Sequence, residues 1–447
     1  MPLFGAFGWL SIMLLVGVIL RAKVGFFQKF LFPAAIIGGL IGFVIKSLGW
    51  IDVSYEIFTV FAIHMFTINF ISIGLTGTDD AVAPEGTTIR KIMFKGMLWM
   101  ACMMFALSSL QAFVGMGVIS VTNLFFENLW VGMGYLVPAG YVQGPGQAVA
   151  LASVWENSFQ VHDAITLGLT FAAAGFLVAS LVGVPLANWG LRKGLATNKV
   201  KDLPREFLVG LHDQGNEAPA GKLKTHSGNI DGLTFQLAIT MAVYFLTYFE
   251  TIGMKALLPP AFKGLAWGLM FLWGMITAAF VRMILNKLGL TQYMDNNVQR
   301  RITGVAVDYL IIATLVAVKV ATVWTHFVPV LAICLLTSLV TFYFLLFFGR
   351  RLKVYSLERT LAMFGTLTGT AASGLMLLRI ADPDFKTPVA YEVGMQNAFA
   401  LPLLPLTFVT FGLPQVGIPL AFGVSCGMLI LSLIIIKVIG QWNKPAW

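Results

Sequence analysis

Long apolar runs recur along the entire chain and constrain its fold more than any other feature. A helix needs about 20 residues to cross a bilayer, and most of these runs approach that length. Hydrophobic residues make up 58% of the sequence and charged residues only 11%, whereas soluble domains carry about 25% charged residues. The alternation typical of membrane β-strands is missing. The sequence therefore predicts an all-α membrane protein with spans near 3–20, 31–47, 56–76, 93–119, 164–189, 233–253, 264–281, 302–322, 328–348, 389–412 and 417–438.

Two further apolar stretches, at about 130–155 and 357–380, are interrupted by residues that disfavour a membrane helix. The first contains GYVQGPGQAV, starting at Gly140, and the second contains GTLTGTAASG, starting at Gly365. Backbone N–H and C=O groups freed by such a break cannot face lipid unpaired. We therefore predict that each stretch is a re-entrant loop, which enters and leaves the membrane on the same side.

Lys and Arg are distributed unevenly among the predicted loops, and this asymmetry indicates the orientation. With the N-terminus outside and neither broken stretch crossing the membrane, 21 basic residues fall inside and 4 outside, even before the C-terminal part of the chain is counted. Cytoplasmic loops carry such an excess, which also explains the net charge of +9 without a nucleic-acid partner. We predict a multi-pass protein of the cytoplasmic membrane, with the central linker and the C-terminus inside.

The two halves of the chain share one plan: four spans, a broken Gly-rich stretch, then a fifth span. Five spans are an odd number, so the second half starts on the opposite face, and the halves are predicted to be inverted repeats. The first repeat covers 1–190 and the second 232–413, and 191–231 is a polar, basic cytoplasmic linker. Residues 414–447 add one transmembrane helix and a tail.

Paired broken segments in inverted repeats are typical of secondary transporters, where they meet near the middle of the membrane and hold the substrate. Glycine lets two backbones approach closely, and the helix ends at a break present positive dipoles to an anion. We expect close approach at Gly144 and Gly369, with alanine partly tolerated and valine not. The alternative is that these glycines only permit tight packing of helices.

The two motifs, GYVQGPGQAVALASVWE and GTLTGTAASGLMLLRIADP, resemble the paired pore loops of the bacterial sodium/glutamate symporter family. The resemblance covers nearly the whole chain. It implies sodium-coupled uptake of L-glutamate, a homodimer, sodium as the coupling ion and no other cofactor. It also implies a translocation site in the two loops, here Gln143, Gly144, Pro145, Gly146 and Gln147 with Thr368, Gly369, Thr370, Ala371 and Ser373. The family has Gly-Gly-x-Gly-Thr where this chain has Gln-Gly-Pro-Gly-Gln, and the last span is also additional.

Several polar residues near or within the spans are further candidates. Arg379 could clamp a substrate carboxylate, pair with Asp382 or Asp384, or simply carry an inside-facing charge. Asp308 lies within a span, where a carboxylate is costly and a functional candidate; it could bind sodium or pair with a lysine. Asn69, Thr67 and Ser72 are candidate sodium ligands, and Gln396 and Asn397 are candidate substrate ligands. For all five, hydrogen bonding between helices is the alternative role.

Three other functions compete with glutamate symport. A sodium symporter for another small carboxylate, such as a dicarboxylate or citrate, would have the same plan. Opposed re-entrant loops also build channels, but the Asn-Pro-Ala signature of water and glycerol pores is missing from this sequence. An intramembrane enzyme would need a catalytic set within the spans. We identify none there, and expect no enzymatic activity.

Overall fold

The protein is described here from a computed structural model, in which every regular element of the described residues is a helix. The structure describes residues 2–76, 87–126, 129–197, 205–213, 215, 219–226, 228–260, 263–383, 386–396 and 404–447. The first half contains α1 (Pro2–Lys23), α2 (Gly25–Lys29), α3 (Ala34–Ser47), α4 (Tyr55–Leu75), α5 (Thr87–Thr122), a 3-10 helix (Val131–Tyr135), α6 (Leu136–Tyr141), α7 (Pro145–Phe159), α8 (Ala164–Leu181) and α9 (Gly183–Arg192).

A short helix in the linker, α10 (Arg205–Val209), precedes the second half. That half contains α11 (Gly232–Leu257), α12 (Lys263–Gly268), α13 (Met270–Lys287), a 3-10 helix (Leu290–Tyr293), α14 (Asn296–Val316), α15 (Val320–Thr325), α16 (Phe327–Gly349), α17 (Ser356–Thr368), α18 (Ala371–Ala381), α19 (Val389–Met395), α20 (Leu404–Phe411), α21 (Leu413–Val416) and α22 (Ile418–Val438).

Eight helices among the described residues are long and apolar enough to cross a membrane, so the chain is a multi-pass membrane protein. They are Leu3–Lys23, Tyr55–Leu75, Arg90–Thr122, Ala164–Arg192, Gly232–Leu257, Met270–Lys287, Phe327–Gly349 and Ile418–Val438. Three predicted spans, at 31–47, 302–322 and 389–412, are not among the eight. The helix in the first is only 14 residues long, and α14 begins with the polar sequence NNVQRR. Five spans per repeat therefore stays a prediction.

The first broken stretch folds back on itself as a helical hairpin, here called hairpin 1 (residues 130–159). Its descending part is the 3-10 helix and α6, and its returning part is α7. The Trp130 ring at its start lies 5.2 Å from the Trp155 ring near its end, measured between ring centroids. The two ends of the segment are therefore neighbours in the structure.

The second broken stretch is also a helical hairpin, here called hairpin 2 (residues 356–381), made of α17 and α18. The two arms pack backbone against backbone: a Cβ on Gly365 would lie 2.5 Å from the Ser373 carbonyl oxygen and 2.7 Å from the Gly374 nitrogen. Any side chain at Gly365 would force the arms apart, which explains glycine at that position.

Helix α16 lies beside both hairpins and shows that they open in opposite directions. At its start, His326 Nε2 is 3.7 Å from a carboxylate oxygen of Asp163, four residues beyond hairpin 1. At its end, the carbonyl of Gly349 accepts a hydrogen bond of 2.8 Å from the hydroxyl of Ser356, the first residue of hairpin 2.

The tips of both hairpins lie near the middle of α16. Tyr141, at the tip of hairpin 1, places its hydroxyl 3.2 Å from the hydroxyl of Ser338. At the tip of hairpin 2, the Gln111 amide of α5 donates to Thr341 Oγ1 (2.9 Å) and to the Leu367 carbonyl (3.4 Å). Since α16 has 23 residues, it is roughly 34 Å long, close to the thickness of a bilayer core of about 30 Å.

The segment after α22 returns to the base of hairpin 2. The Ala446 nitrogen donates to the Arg350 carbonyl at 2.6 Å, and the Trp447 indole donates to the Ser356 hydroxyl at 2.7 Å. The end of the chain and the open end of hairpin 2 are therefore on the same side of the molecule.

The hairpins predict a definite pattern of labelling in a variant whose three cysteines are replaced. We expect single cysteines introduced at Leu124 and His162, on either side of hairpin 1, to react with a membrane-impermeant maleimide in intact cells. Cysteines at Lys353 and Lys386, on either side of hairpin 2, should react only after the cells are opened, and all four side chains are exposed. If the two flanks of one hairpin reacted from different faces, that hairpin would cross the membrane and the topology would be wrong.

Candidate functional site

The two hairpin tips lie close together at Gly144, Gly369 and Thr370. A Cβ on Gly144 would lie 3.0 Å from Thr370 Cγ2 and 3.2 Å from the Gly369 carbonyl oxygen. The two Gly-rich motifs therefore lie against each other, as their pairing in the sequence led us to expect.

The local conformation of the first tip requires glycine. Gly144 has φ +81° and ψ −179°, a region that is essentially restricted to glycine. Pro145 then begins α7, where its fixed φ suits the first helical position and its missing N–H costs nothing. At Gly146, a Cβ would overlap the ring of Phe66 from α4, so this position also leaves no room for a side chain.

Two helix N-termini converge at this contact. Gly144 is the N-cap of α7, which has 15 residues, and Thr370 is the N-cap of α18, which has 11. The first amides of a helix have no carbonyl partner within it, and the helix dipole adds partial positive charge there. No Lys or Arg occurs in 143–147 or in 368–373, so the backbone supplies the positive potential for an anion at the tips.

Buried polar atoms with open hydrogen-bonding capacity surround the tips. In the described part of the chain, Thr370 Oγ1, Ser108 Oγ and Gln111 Oε1 have no hydrogen-bond partner. Ser108 and Gln111 lie on α5, on successive turns of the helix, and Gln111 is fully buried. Buried polar atoms are seldom left unpaired in proteins, so these three are places where a substrate, an ion or water can be accommodated.

A small cavity with both apolar and polar lining residues adjoins the tip of hairpin 1. Its volume is about 30 Å³, and Ser108, Gln143 and Gln147 contribute to its wall. On the far side, the hydroxyls of Tyr135 and Ser425 are 3.0 Å apart; Ser425 belongs to α22. The cavity can hold water, since one molecule needs about 10–15 Å³ measured in this way. The additional C-terminal helix therefore lines a space next to the first Gly-rich motif.

Comparison with known families supplies the identity that this geometry suggests. A family profile described as sodium/glutamate symporter matches residues 6–354. The chain belongs to the sodium/glutamate symporter family. The match includes hairpin 1 and ends just before hairpin 2, so the second Gly-rich motif lies outside it. No curated protein and no solved structure matches the chain.

Arg379, for which the sequence left open a substrate contact, a pair with a nearby aspartate or an inside-facing charge, lies far from the tips. It occupies the last turn of α18 and is exposed, roughly 15 Å along the helix from the break. Its guanidinium lies 5.4 Å from the ring centre of Phe207 in the linker helix α10. The carboxylate of Asp382 accepts hydrogen bonds from the backbone N–H of Lys386 (2.9 Å) and of Thr387 (2.7 Å).

The four sodium candidates are not gathered into one site. Residues 299, 302, 306 and 310 of α14 are buried, whereas 301, 304, 305 and 308 are exposed. Ser72 of α4 donates to the carbonyl of Gln299 at 2.7 Å, so the buried stripe faces α4. Asp308 thus lies on the opposite side of α14 from the helix that carries the other three candidates.

Among the three candidates on α4, Asn69 differs in having an oxygen that makes no hydrogen bond to the described residues. The hydroxyl of Thr67 donates to the Ile63 carbonyl (3.0 Å), and that of Ser72 is engaged with Gln299. Asn69 is buried, and its Oδ1 has no partner among the residues described. Gln396 likewise has an unpaired, buried Oε1, while Asn397 lies outside the described residues.

Sequence reasoning missed Ser108 and Gln111, which border both tips. Their signal was present in the run ALSSLQAFVG, where three polar residues interrupt an apolar span. Such interruptions often serve interhelical hydrogen bonds, and nothing in the sequence relates this span to the hairpins. Only the fold places Gln111 within reach of the Leu367 carbonyl.

The conformation of Gly144 changes the expected result of substitution there. Because φ is +81°, Gly144→Ala should reduce sodium-driven glutamate uptake in proteoliposomes as severely as Gly144→Val. We expect a reduction of about fivefold or more, since strain of this kind costs roughly 1–3 kcal/mol. Gly369→Ala should be milder than Gly369→Val, because φ there is −147° and the nearest atom to an added Cβ is the rotatable Ser373 hydroxyl at 2.8 Å.

The matched control is Gly117→Ala on α5, where no atom lies within 4 Å of an added Cβ. It should transport normally. Each variant must elute from size-exclusion chromatography like the wild type before its uptake is compared. Wild-type uptake by Gly144→Ala would show that the backbone at this tip need not adopt the conformation seen in the structure.

Proposed function

We propose that this protein is a secondary active transporter that takes up L-glutamate together with sodium ions. The family match supports sodium/glutamate symport. The observation that carries the proposal further is the meeting of two helix N-termini at Gly144 and Thr370. Two positive helix ends at one contact suit an anionic substrate, and an enzymatic role has no support from the family.

The proposed architecture is a pair of inverted repeats, 1–190 and 232–413, each with one re-entrant hairpin. Its support is that the hairpins open toward opposite ends of α16 while their tips lie near its middle. Alternating access then exposes the contact between the tips first to one side of the membrane and then to the other. The linker at 191–231 joins the repeats, and 414–447 adds α22.

The proposed substrate site consists of residues 143–147 and 368–373, with carboxylate groups facing the first amides of α7 and α18. Carbonyls at the breaks, such as that of Gly369, are available to the substrate ammonium group. Gln396 and Asn397 are proposed to border this site. Arg379 is exposed at the open end of hairpin 2, where it would meet a carboxylate that enters or leaves on that side rather than one bound at the tips.

For sodium we propose Asn69 as the principal side-chain ligand. Its Oδ1 is buried and unpaired, and Phe66, one turn earlier on α4, packs against Gly146 of hairpin 1. Thr67 and Ser72 could add a second contact each through their remaining lone pairs. Asp308 is the alternative ligand. It lies apart from Asn69, on the exposed side of α14.

The proposed setting is the cytoplasmic membrane, with the N-terminus outside, the linker and C-terminus inside, and two copies forming a homodimer. The excess of basic residues in the linker and at the base of hairpin 2 supports this orientation, since Lys353 and Arg350 lie there. Sodium entering from outside would then drive uptake of glutamate.

A sodium symporter for another small carboxylate is the second candidate. It is favoured by Gln-Gly-Pro-Gly-Gln in the first motif, which differs from the Gly-Gly-x-Gly-Thr of the family, and by a family match that ends before hairpin 2. Dipoles and backbone amides recognise a carboxylate without specifying the rest of the molecule.

Uptake by the purified protein in proteoliposomes tests the function directly. We expect labelled glutamate to accumulate when sodium outside exceeds sodium inside, and to equilibrate without accumulation when the gradient is abolished. Unlabelled citrate, succinate and malate serve as competitors. Sodium-driven accumulation of labelled citrate, succinate or malate, with no accumulation of glutamate, would transfer the assignment to the second candidate. Flux that saturates with neither substrate nor sodium would indicate a channel.

Sodium activation of uptake separates the two cation candidates. We expect Asn69→Ala to raise the half-saturating sodium concentration by about tenfold, equivalent to about 1.4 kcal/mol, because a buried oxygen ligand is lost. Asp308→Asn, which keeps the shape of an exposed side chain, should change it by less than about twofold, or 0.4 kcal/mol. If Asp308→Asn had the larger effect on sodium activation and Asn69→Ala the smaller one, sodium would bind at the exposed side of α14 instead.

A further inference from the structure

A buried ion pair lies at the base of hairpin 2, outside the substrate and sodium sites proposed above. Arg359 of α17 is 1% exposed and Glu392 of α19 is 0% exposed. The guanidinium Nε donates to one carboxylate oxygen at 2.8 Å, and a terminal nitrogen donates to the other at 2.6 Å. This is the parallel two-point geometry that only arginine offers a carboxylate.

The other donors of Arg359 extend the connection to a third element. One terminal nitrogen donates to the Val354 carbonyl, just before α17, at 3.0 Å. The other reaches the Ile92 carbonyl of α5 at 3.2 Å. A Cβ on Gly96 of α5 would overlap both the guanidinium and the Glu392 carboxylate. Glycine at position 96 therefore leaves room on α5 for this pair, which joins α5, α17 and α19.

Stability alone is a weak reason to keep such a pair. Taking both charges out of water is costly, and well-packed apolar residues in place of a buried pair are often equally stable or more so. A buried ion pair does, however, accept few alternative arrangements, because displacing either partner leaves an unpaired charge. It therefore fixes the relative placement of the elements that carry it.

We propose that Arg359 and Glu392 are positioning residues that set the placement of hairpin 2 and thereby the contact between the tips. Helix α5 holds α17 at its base through Arg359 and near its tip through the bond from Gln111 to the Leu367 carbonyl. The pair thus orients the backbone of Gly369 and Thr370 toward Gly144. Its effect on transport rests on the proposed function; its effect on the tips does not.

The test compares the wild type with the double variant Arg359→Met/Glu392→Leu, which removes both charges and leaves no unpaired ion. Spin labels on cysteines introduced at Gln143 and Ala372 report the distance between the tips by pulsed electron paramagnetic resonance, in protein without its native cysteines. Both side chains are exposed, and the measurement needs neither substrate nor transport. We expect a melting temperature near that of the wild type and a clearly broader distance distribution.

Without the labels, the half-saturating glutamate concentration of the double variant should rise by roughly fivefold or more, at the lower end of coupling between distant sites. A purely structural pair predicts the opposite: a double variant that melts like the wild type would also keep its tip distances and its half-saturation. That result would overturn the proposal.

Arg359→Lys keeps the charge but loses the two-point geometry, and it provides the test if the double variant does not fold. We expect it to fold and to show broadening as well, because one amine cannot satisfy both carboxylate oxygens in the same way. An unchanged distance distribution in Arg359→Lys would equally overturn the proposal. If the wild type failed to transport glutamate, the proposed function would fail while the distance measurement still decided the role of the pair.

Discussion

The contact between two broken helices is the constraint on which the rest of this structure depends. Each break frees backbone N–H and C=O groups that lipid cannot satisfy, so neither hairpin is stable at membrane depth unless protein covers its tip. Here each tip covers the other, with Gly144 against Gly369 and Thr370. The approach is close because glycine leaves the backbone bare, and at Gly144 a left-handed φ directs the chain into α7.

Two long helices hold the hairpins so that this contact can form. Helix α16 touches hairpin 1 through Tyr141 and the start of hairpin 2 through Ser356. Helix α5 supports hairpin 2 through Gln111 and through the Ile92 carbonyl. Polar residues that interrupt these apolar helices, such as Gln111 and Ser338, therefore have a structural reason to be there.

Local sequence signals predicted much of the fold, whereas the site depends on contacts that no local signal encodes. Apolar length placed the long helices, and the paired Gly-rich motifs indicated two breaks that meet. The direction in which Asp308 points depends on which side of α14 packs against α4. The distance of Arg379 from the tips depends on where α18 begins. Arg359 and Glu392 are 33 residues apart, and in the sequence Arg359 reads only as one more basic residue near a helix end. The geometry of Gly144 could not be inferred either, since several conformations suit a Gly-Pro sequence.

A site divided between two hairpins has a consequence for transport. An anion at the tips would interact with the α7 dipole from one hairpin and the α18 dipole from the other, and neither motif adds a basic side chain. At this proposed site each half alone would hold the anion weakly, so strong binding would require the tips to be together. Because binding and closure are coupled, a bound anion would in turn favour the arrangement in which the tips touch. Substrate occupancy and the closeness of the hairpins would then control each other, which an arginine clamp on a single hairpin would not achieve.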